Sequence, residues 1–428
     1  MRIRDIRREP GAPGKARWAA TFDWEENDRA PFEMRFEEDR DSAEHSRGEV
    51  HPFLLASILP AWRRGERRIA VEGRICPRLR DGLDAAQQIL SSWYGPDRVP
   101  VALEPSEGFH SQDRAGKAAL FLTGGVDSLH MLRVNRSAFP AGHPASFQEA
   151  IYVSRLSFVE ESPSERSLDL AQRQARAVES ICSENGLRFR CIESNFRLLD
   201  HGDWMVAPQD QGALLAAAAH VLAGRIATAS LAASHDLDLL PAWGTHPLLD
   251  PQYSSSGLEF RHEGIAHPRF KKLREIADWE TARRRLVVCF EGPMPAGQLN
   301  CGECEKCLRT MTGLLVLGAL DRFPVFGSTG VTEEKLLEMN FGYHSEFFRW
   351  LWTPLVEPLR RLGRADLARA VKEKLRSARR HRAWIEETDW RGRIRRFDRK
   401  HFGGRLCSAS RRLRRLPAAE NPDSPDRR

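Results

Sequence analysis

The stretch Ala118-Ala-Leu-Phe-Leu-Thr-Gly-Gly-Val-Asp-Ser-Leu-His-Met-Leu132 decides the reading of this 428-residue chain. Ala118–Leu122 is a short apolar run suited to a buried strand, and from Asp127 to Val134 the pattern is helical. A strand that passes through a glycine turn directly into a helix is the opening unit of a parallel α/β sheet. Gly124 and Gly125 are expected to allow positive φ and the close approach of a ligand. Their N–H groups, with those of the first helical turn, would form a nest for an anion. Thr123 and Ser128 would add hydroxyl donors. The competing reading is an ordinary tight strand–helix turn.

Downstream, Ala150–Val153, Leu187–Ile192 and Ile226–Ala233 read as strands. Glu165–Asn185 and Gln211–Leu222 read as helices, stopped near Gly186 and Gly224. The alternation predicts an α/β domain over 117–320, a parallel sheet with helices on both faces. Ligands bind at the carboxyl ends of such strands, where the 123–128 turn would lie.

Upstream, residues 1–110 read as a small N-terminal α+β module. Its strands are Ala16–Trp24, Phe32–Phe36, Arg68–Val71 and Pro100–Leu103; its helices are His51–Trp62 and Arg78–Trp93. Gly108–Gly116 reads as a linker. Residues 330–402 read as a helical C-terminal region, with Trp350, Trp352 and Leu355 on one apolar face. Residues 403–428 read as a disordered basic tail.

Length allows two or three domains. The net charge of +7 is unevenly spread. From Arg360 to Arg428 there are 23 Lys and Arg against 9 Asp and Glu, +14; the remainder holds 43 against 50, −7. The basic end suits nucleic acid or an acidic partner, or is a solvated helix with a free end. A homo-oligomer is left open. No membrane partner is expected: the most apolar window, Leu214–Ala233, is broken by His220 and Arg225. The basic N-terminus lacks an apolar signal core, so a cytoplasmic location with reduced thiols is expected.

Cys301, Cys304 and Cys307 follow a Cys-x2-Cys-x2-Cys spacing, with Cys289 eleven intervening residues upstream. Four thiolates so placed can close a tetrahedral Zn²⁺ site of structural type, charge −2, with Lys306 and Arg309 near enough to offset it. An iron–sulfur cluster and a metal-free cluster are the alternatives. Cys191 lies in an apolar strand and reads as core.

The turn Thr123-Gly-Gly-Val-Asp-Ser128 is not a Walker A loop, since Gly14-Lys15 and Gly116-Lys117 lack the spacing. It resembles the PP-loop, Ser-Gly-Gly-x-Asp-Ser, of the N-type ATP pyrophosphatases, with Thr123 in place of the first serine. Together with Leu286-Val-Val-Cys289 and Asn300-Cys-Gly-Glu-Cys-Glu-Lys-Cys-Leu-Arg309, it resembles the 7-cyano-7-deazaguanine synthase (QueC-like) branch. Lys272-Leu-Arg-Glu-Ile276 is similar to that branch's Lys-x-Glu-Ile element, with one extra residue. The likeness covers about 118–315; the flanking regions point to a divergent relative with a different acceptor.

The resemblance implies an adenine nucleotide alpha hydrolase-like (HUP) sheet, with ATP, Mg²⁺ and Zn²⁺ as ligands. It implies a carbon–nitrogen ligase that transfers AMP to a carboxylate or carbonyl oxygen of a small molecule or protein, releasing pyrophosphate before ammonia or another nucleophile attacks. Thr123, Gly124, Gly125, Val126, Asp127 and Ser128 would hold the phosphates. Asp127, Ser128, Lys272 and Arg269 would be the catalytic set, with Asp127 capping the helix, holding Mg²⁺, or both. Tyr152–Arg155 would receive adenine on topology alone. Gly244–Ser256 is either an acceptor loop or a loop held by its own turns, and Gln211-Gly212 either faces the site or only starts a helix. Two other functions stay open: a base thiolase, which would need a mobile reactive thiol, and a nucleotide-binding subunit of a defence or biosynthetic complex without turnover.

Overall fold

The computed structural model describes residues 1–39, 50–95, 98–114, 116–154, 165–200, 207–289, 298–328, 330–339 and 345–388. Arg155 and the 403–428 tail lie outside them. By internal contacts the chain divides into two compact units. One is Met1–Cys301 with Leu317–Ser328; the other is Gly302–Val316 with the described residues of Thr329–Arg428.

The first unit is an α/β structure built on one ten-stranded sheet. Its strands are β1 (Arg2–Pro10), β2 (Lys15–Asp23), β3 (Phe32–Asp39), β4 (Arg68–Val71), β5 (Ala102–Pro105), β6 (Lys117–Phe121), β7 (Phe147–Ser154), β8 (Arg188–Ser194), β9 (Ile226–Ala232) and β10 (Glu259–Glu263). Its helices are α1 (His51–Arg64), α2 (Pro77–Tyr94), α3 (Val126–Ala138), α4 (Glu165–Glu184), α5 (Ala207–Val221), α6 (Arg269–Ile276) and α7 (Glu280–Arg285).

The order is β10-β9-β6-β7-β8-β3-β2-β1-β4-β5. From β10 to β8 every neighbouring pair is parallel. Numbered along the chain, this half reads fifth, fourth, first, second and third strand, so the direction of winding reverses between β6 and β9. That reversal opens a crevice at the carboxyl ends of those two strands. The register places Leu120 opposite Ala150 on one side and Ser230 on the other.

The expected boundary at 110–117 is crossed by the sheet itself. β3 pairs antiparallel with β8 through Phe36↔Ser194 and Glu37↔Glu193. The core crosses it too: Phe36 packs edge-on against Phe53 at 5.5 Å and against Phe196 at 5.9 Å. Ala213 and Ala216–Ala219 on α5 are buried, and their small side chains let α1 pack closely on that helix. Each fully buried Phe or Leu adds ~1.5–3 kcal/mol.

Two strands escape the sequence reading. The N-terminal basic segment is β1, a central strand between β2 and β4. Its arginines are matched across the sheet, Arg4 to Asp23 at 2.6 Å and Arg7 to Glu33 at 2.6 Å. β10 has one buried apolar residue, Phe260. Its other side chains are held by polar partners, as in Ser230 Oγ donating to Glu263 at 2.6 Å. Leu286–Cys289 is extended without joining the sheet.

The second unit is helical in its described residues: α8 (Glu305–Val316), α9 (Glu333–Glu338), α10 (Ser345–Arg361) and α11 (Ala365–Thr388). Trp352, fully buried, and Leu355 and Leu359 form the inner face of α10, and Leu367 and Val371 that of α11. Trp352 Nε1 and Arg309 Nε both donate to Glu305 Oε1, at 2.8 and 2.7 Å. Among the described residues no helix is long and apolar enough to cross a membrane.

The core carries a pH dependence. His51 and His220 meet edge to face at 5.5 Å, and burial pushes them down to about 3 and about 4. Unfolded histidine titrates near ~6.5, so the unfolded chain takes up these protons first and stability falls as pH drops below that value. Glu38, pushed up to about 7 by burial, acts oppositely between its unfolded value and 7. The two histidines outweigh the one carboxyl, so this part of the core loses stability as pH falls below ~6.5. Thermal melts at pH 7 and pH 5 should show a lower midpoint at pH 5; an unchanged midpoint would contradict the neutral assignment.

Candidate functional site

β6 delivers the chain to the crevice, where Thr123-Gly124-Gly125 turns it into α3. Gly124 takes φ +72°, and a Cβ there would stand 3.3 Å from Ile181 Cδ1, so glycine is needed. Its carbonyl accepts Val287 N–H at 2.9 Å, fixing the turn from behind. Gly125 departs from expectation: at φ −79° and ψ 168° it is extended and serves as the helix N-cap. A Cβ there would make only ordinary contacts, 3.4 Å to Thr123 Oγ1 and 3.6 Å to Val287 O, so the turn itself does not require glycine at this position.

The hydroxyls close the turn on itself. Ser128 Oγ accepts Thr123 N–H at 3.3 Å and donates to Gly125 O at 3.2 Å. Thr123 Oγ1 lies 3.3 Å from Ser128 Oγ. Gly125 is the N-cap of α3, so Asp127, two residues further on, does not occupy the capping position. Its carboxylate instead receives Arg269 Nη1, and Lys272 Nζ lies 3.6 Å away.

Arg269 and Lys272 come from α6, which follows β10. Lys272 is 2% exposed, which rules out a solvated basic face, and its ammonium donates to Ala233 O, just past β9, at 2.6 Å. Burial lowers its pKa and the Asp127 carboxylate opposes that shift. The four residues proposed as the catalytic set thus converge where β6 and β9 end. Arg269 and Lys272 are shared between Asp127 and, for Lys272, the nearby Asp236, so two cations already stand at this edge for an anion to meet.

Sequence reasoning missed His235 and Asp236, which follow β9 at the same edge. Both are buried; burial holds His235 down at about 4, with the Asp127 charge opposing, and raises Asp236. β7 runs on to Ser154, so Tyr152–Ser154 lie within the strand rather than past it; the same topological rule, applied past β9, would have found His235 and Asp236. Tyr152 itself is 7% exposed, its hydroxyl pushed above the usual phenol range by burial.

The 244–256 loop is tied to its own backbone and to the 258–262 segment, while the buried Tyr253 hydroxyl has no hydrogen-bond partner among the described residues. Asp250, fully buried, accepts His246 N–H at 3.3 Å and pairs with His262 Nδ1 of β10 at 2.7 Å. Ser254 Oγ accepts Phe260 N–H and Ser255 Oγ accepts Leu258 N–H. Gly212, inside α5, donates to Gly244 O at 2.9 Å, and a Cβ there would reach that oxygen at 2.3 Å and Asp250 Oδ1 at 2.6 Å. Gly212→Ala should therefore cost ~1–3 kcal/mol by overpacking; an unchanged denaturation midpoint would show the loop to be free to move.

The sulfurs of Cys289, Cys301, Cys304 and Cys307 all lie within 4.8 Å of one another. With Zn–S bonds of ~2.3 Å the tetrahedral edge is ~3.8 Å, so small rotations suffice to hold a metal such as zinc. Cys289 and Cys307 are buried, a setting in which unpaired thiolates are costly. Gly302, at φ +74°, turns the chain between Cys301 and Cys304. Asn300 is a buried staple that the sequence reading quoted without a role. Its Oδ1 accepts Val288 and Cys289 N–H at 2.8 and 3.2 Å, and its Nδ2 donates to Leu286 O and Val325 O. Cys191 is half-buried rather than core.

No family model, curated protein or solved structure matches the chain.

Proposed function

We propose that this protein is an ATP-dependent adenylating enzyme of the PP-loop type, similar to the QueC-like branch, with a HUP-type parallel half-sheet. One observation carries the reading: the Thr123–Ser128 turn stands at the winding reversal of the sheet with Arg269 and Lys272 gathered on Asp127 beside it. A polyphosphate would meet the first-turn N–H groups of α3 and the two cations together. Charged partners already fixed in a partly buried site need little reorganisation, the condition under which they stabilise developing charge most.

The residues then have distinct tasks. Gly124 and Gly125 admit the phosphates close to the backbone, and Ser128 fixes the turn. In the free protein Asp127 keeps Arg269 and Lys272 from repelling each other, and its carboxylate is the natural holder of Mg²⁺. Arg269 and Lys272 would neutralise the departing pyrophosphate. A carboxylate or carbonyl oxygen of a small molecule or protein would take the AMP, making that oxygen a leaving group for ammonia or another nucleophile. Zinc on the four cysteines has no open position and would crosslink the chain.

Incubation of the full chain with ATP, Mg²⁺, ammonia and a panel of carboxylic acids tests the reading. AMP and pyrophosphate should appear in equal amounts with at least one acid. ADP and phosphate as the products would contradict it.

A further inference from the structure

One turn beyond Asp127 on α3 is His130, and one turn beyond Lys272 on α6 is Glu275, so the two pairs form consecutive layers between the same helices. His130 is 3% exposed and its Nε2 stands 2.6 Å from Glu275 Oε2. His267, in the loop entering α6, turns its ring edge-on to His130 at 5.5 Å between centroids. One ligand atom from each of His130, His267 and Glu275 lies within 4.8 Å of the others.

We propose that His130, His267 and Glu275 form a second metal site, separate from the four cysteines, for a late first-row divalent ion of the zinc class. Two imidazoles and one carboxylate are the donors such ions prefer, whereas Mg²⁺ and Ca²⁺ select oxygen. Zn–N and Zn–O bonds of ~2.0–2.1 Å put donor atoms ~3.3 Å apart. His130 and Glu275 must open slightly from hydrogen-bond distance, and His267 must close.

A cation already samples the place. Lys271 Nζ lies 2.8 Å from His267 Nδ1 and 3.8 Å from Glu275 Oε1. The ion would displace this ammonium and pin α3 to α6, one layer from Asp127, Arg269 and Lys272. Three protein ligands leave coordination open to water. The site does not depend on the nucleotide reading.

Zinc alone is the probe. The full chain is stripped with chelator, reloaded with Zn²⁺, desalted and analysed for metal, beside Glu275→Gln, His267→Ala and Lys271→Met. Glu275 is part-exposed and His267 is on a loop, so these two variants keep the helices' packing. Each should hold one zinc fewer per chain than the wild type, with affinity at this site down at least ~100-fold. Lys271→Met should bind ~10-fold more tightly once the competing cation is gone. Equal zinc in wild type, Glu275→Gln and His267→Ala would overturn the site, whatever the cysteines hold.

Discussion

Cys304→Ser is expected to release one zinc per chain and to lower the thermal unfolding midpoint sharply. Structural zinc binding contributes ~10–16 kcal/mol in small zinc peptides, so even a partial loss should cost at least ~3 kcal/mol here. The sulfurs already cluster within 4.8 Å, and Asn300 anchors the Leu286–Cys289 segment behind them. Removing one thiolate weakens the bonds at the other three, and chelator should no longer shift the melting curve of the variant. Elemental analysis with melts in and out of chelator decides this. A brown chromophore would mean an iron–sulfur cluster, and wild-type protein without metal would end the claim.

Lys272→Met is expected to lower the adenylation rate ~10²–10³-fold, the usual cost of losing one preorganised donor. Stability should stay level or rise, because the substitution removes a buried charge that Ala233 O and Asp127 only partly compensate. Asp127→Asn should behave in the opposite sense: it leaves Arg269 and Lys272 facing each other, with a stability loss of up to ~3–5 kcal/mol for breaking a largely buried pair. The contrast separates a phosphate-binding cation from a structural one. Equal stability losses in both variants, with turnover unchanged in Lys272→Met, would make the cluster a packing device.

The strand–turn–helix at 117–138 and the parallel alternation beyond it were legible because buried strands and amphipathic helices write their periods locally. The cysteine cluster was legible because metal geometry constrains spacing. β1 was not, since its alternating arginines are balanced by Asp23 and Glu33, far along the chain. β10 was hidden for the same reason: His262 and Glu263 are held by Asp250 and Ser230. Nor does sequence reveal that β3 would pair with β8 and fuse the expected N-terminal module into the central sheet. At the site, glycine identity allowed two positive-φ residues, but only Gly124 needs one. His235, Asp236 and Asn300 carry no local signal, and their places follow only from where β9 and the Leu286–Cys289 segment end.

The most direct measurement is a crystal structure of the full chain with a non-hydrolysable ATP analogue and Mg²⁺. The expected result is the β- and γ-phosphates on the N–H groups of Gly124 to Ser128, with Arg269 and Lys272 turned from Asp127 onto phosphate oxygens. A triphosphate bound elsewhere, with Thr123 and Ser128 still closing the turn, would contradict it.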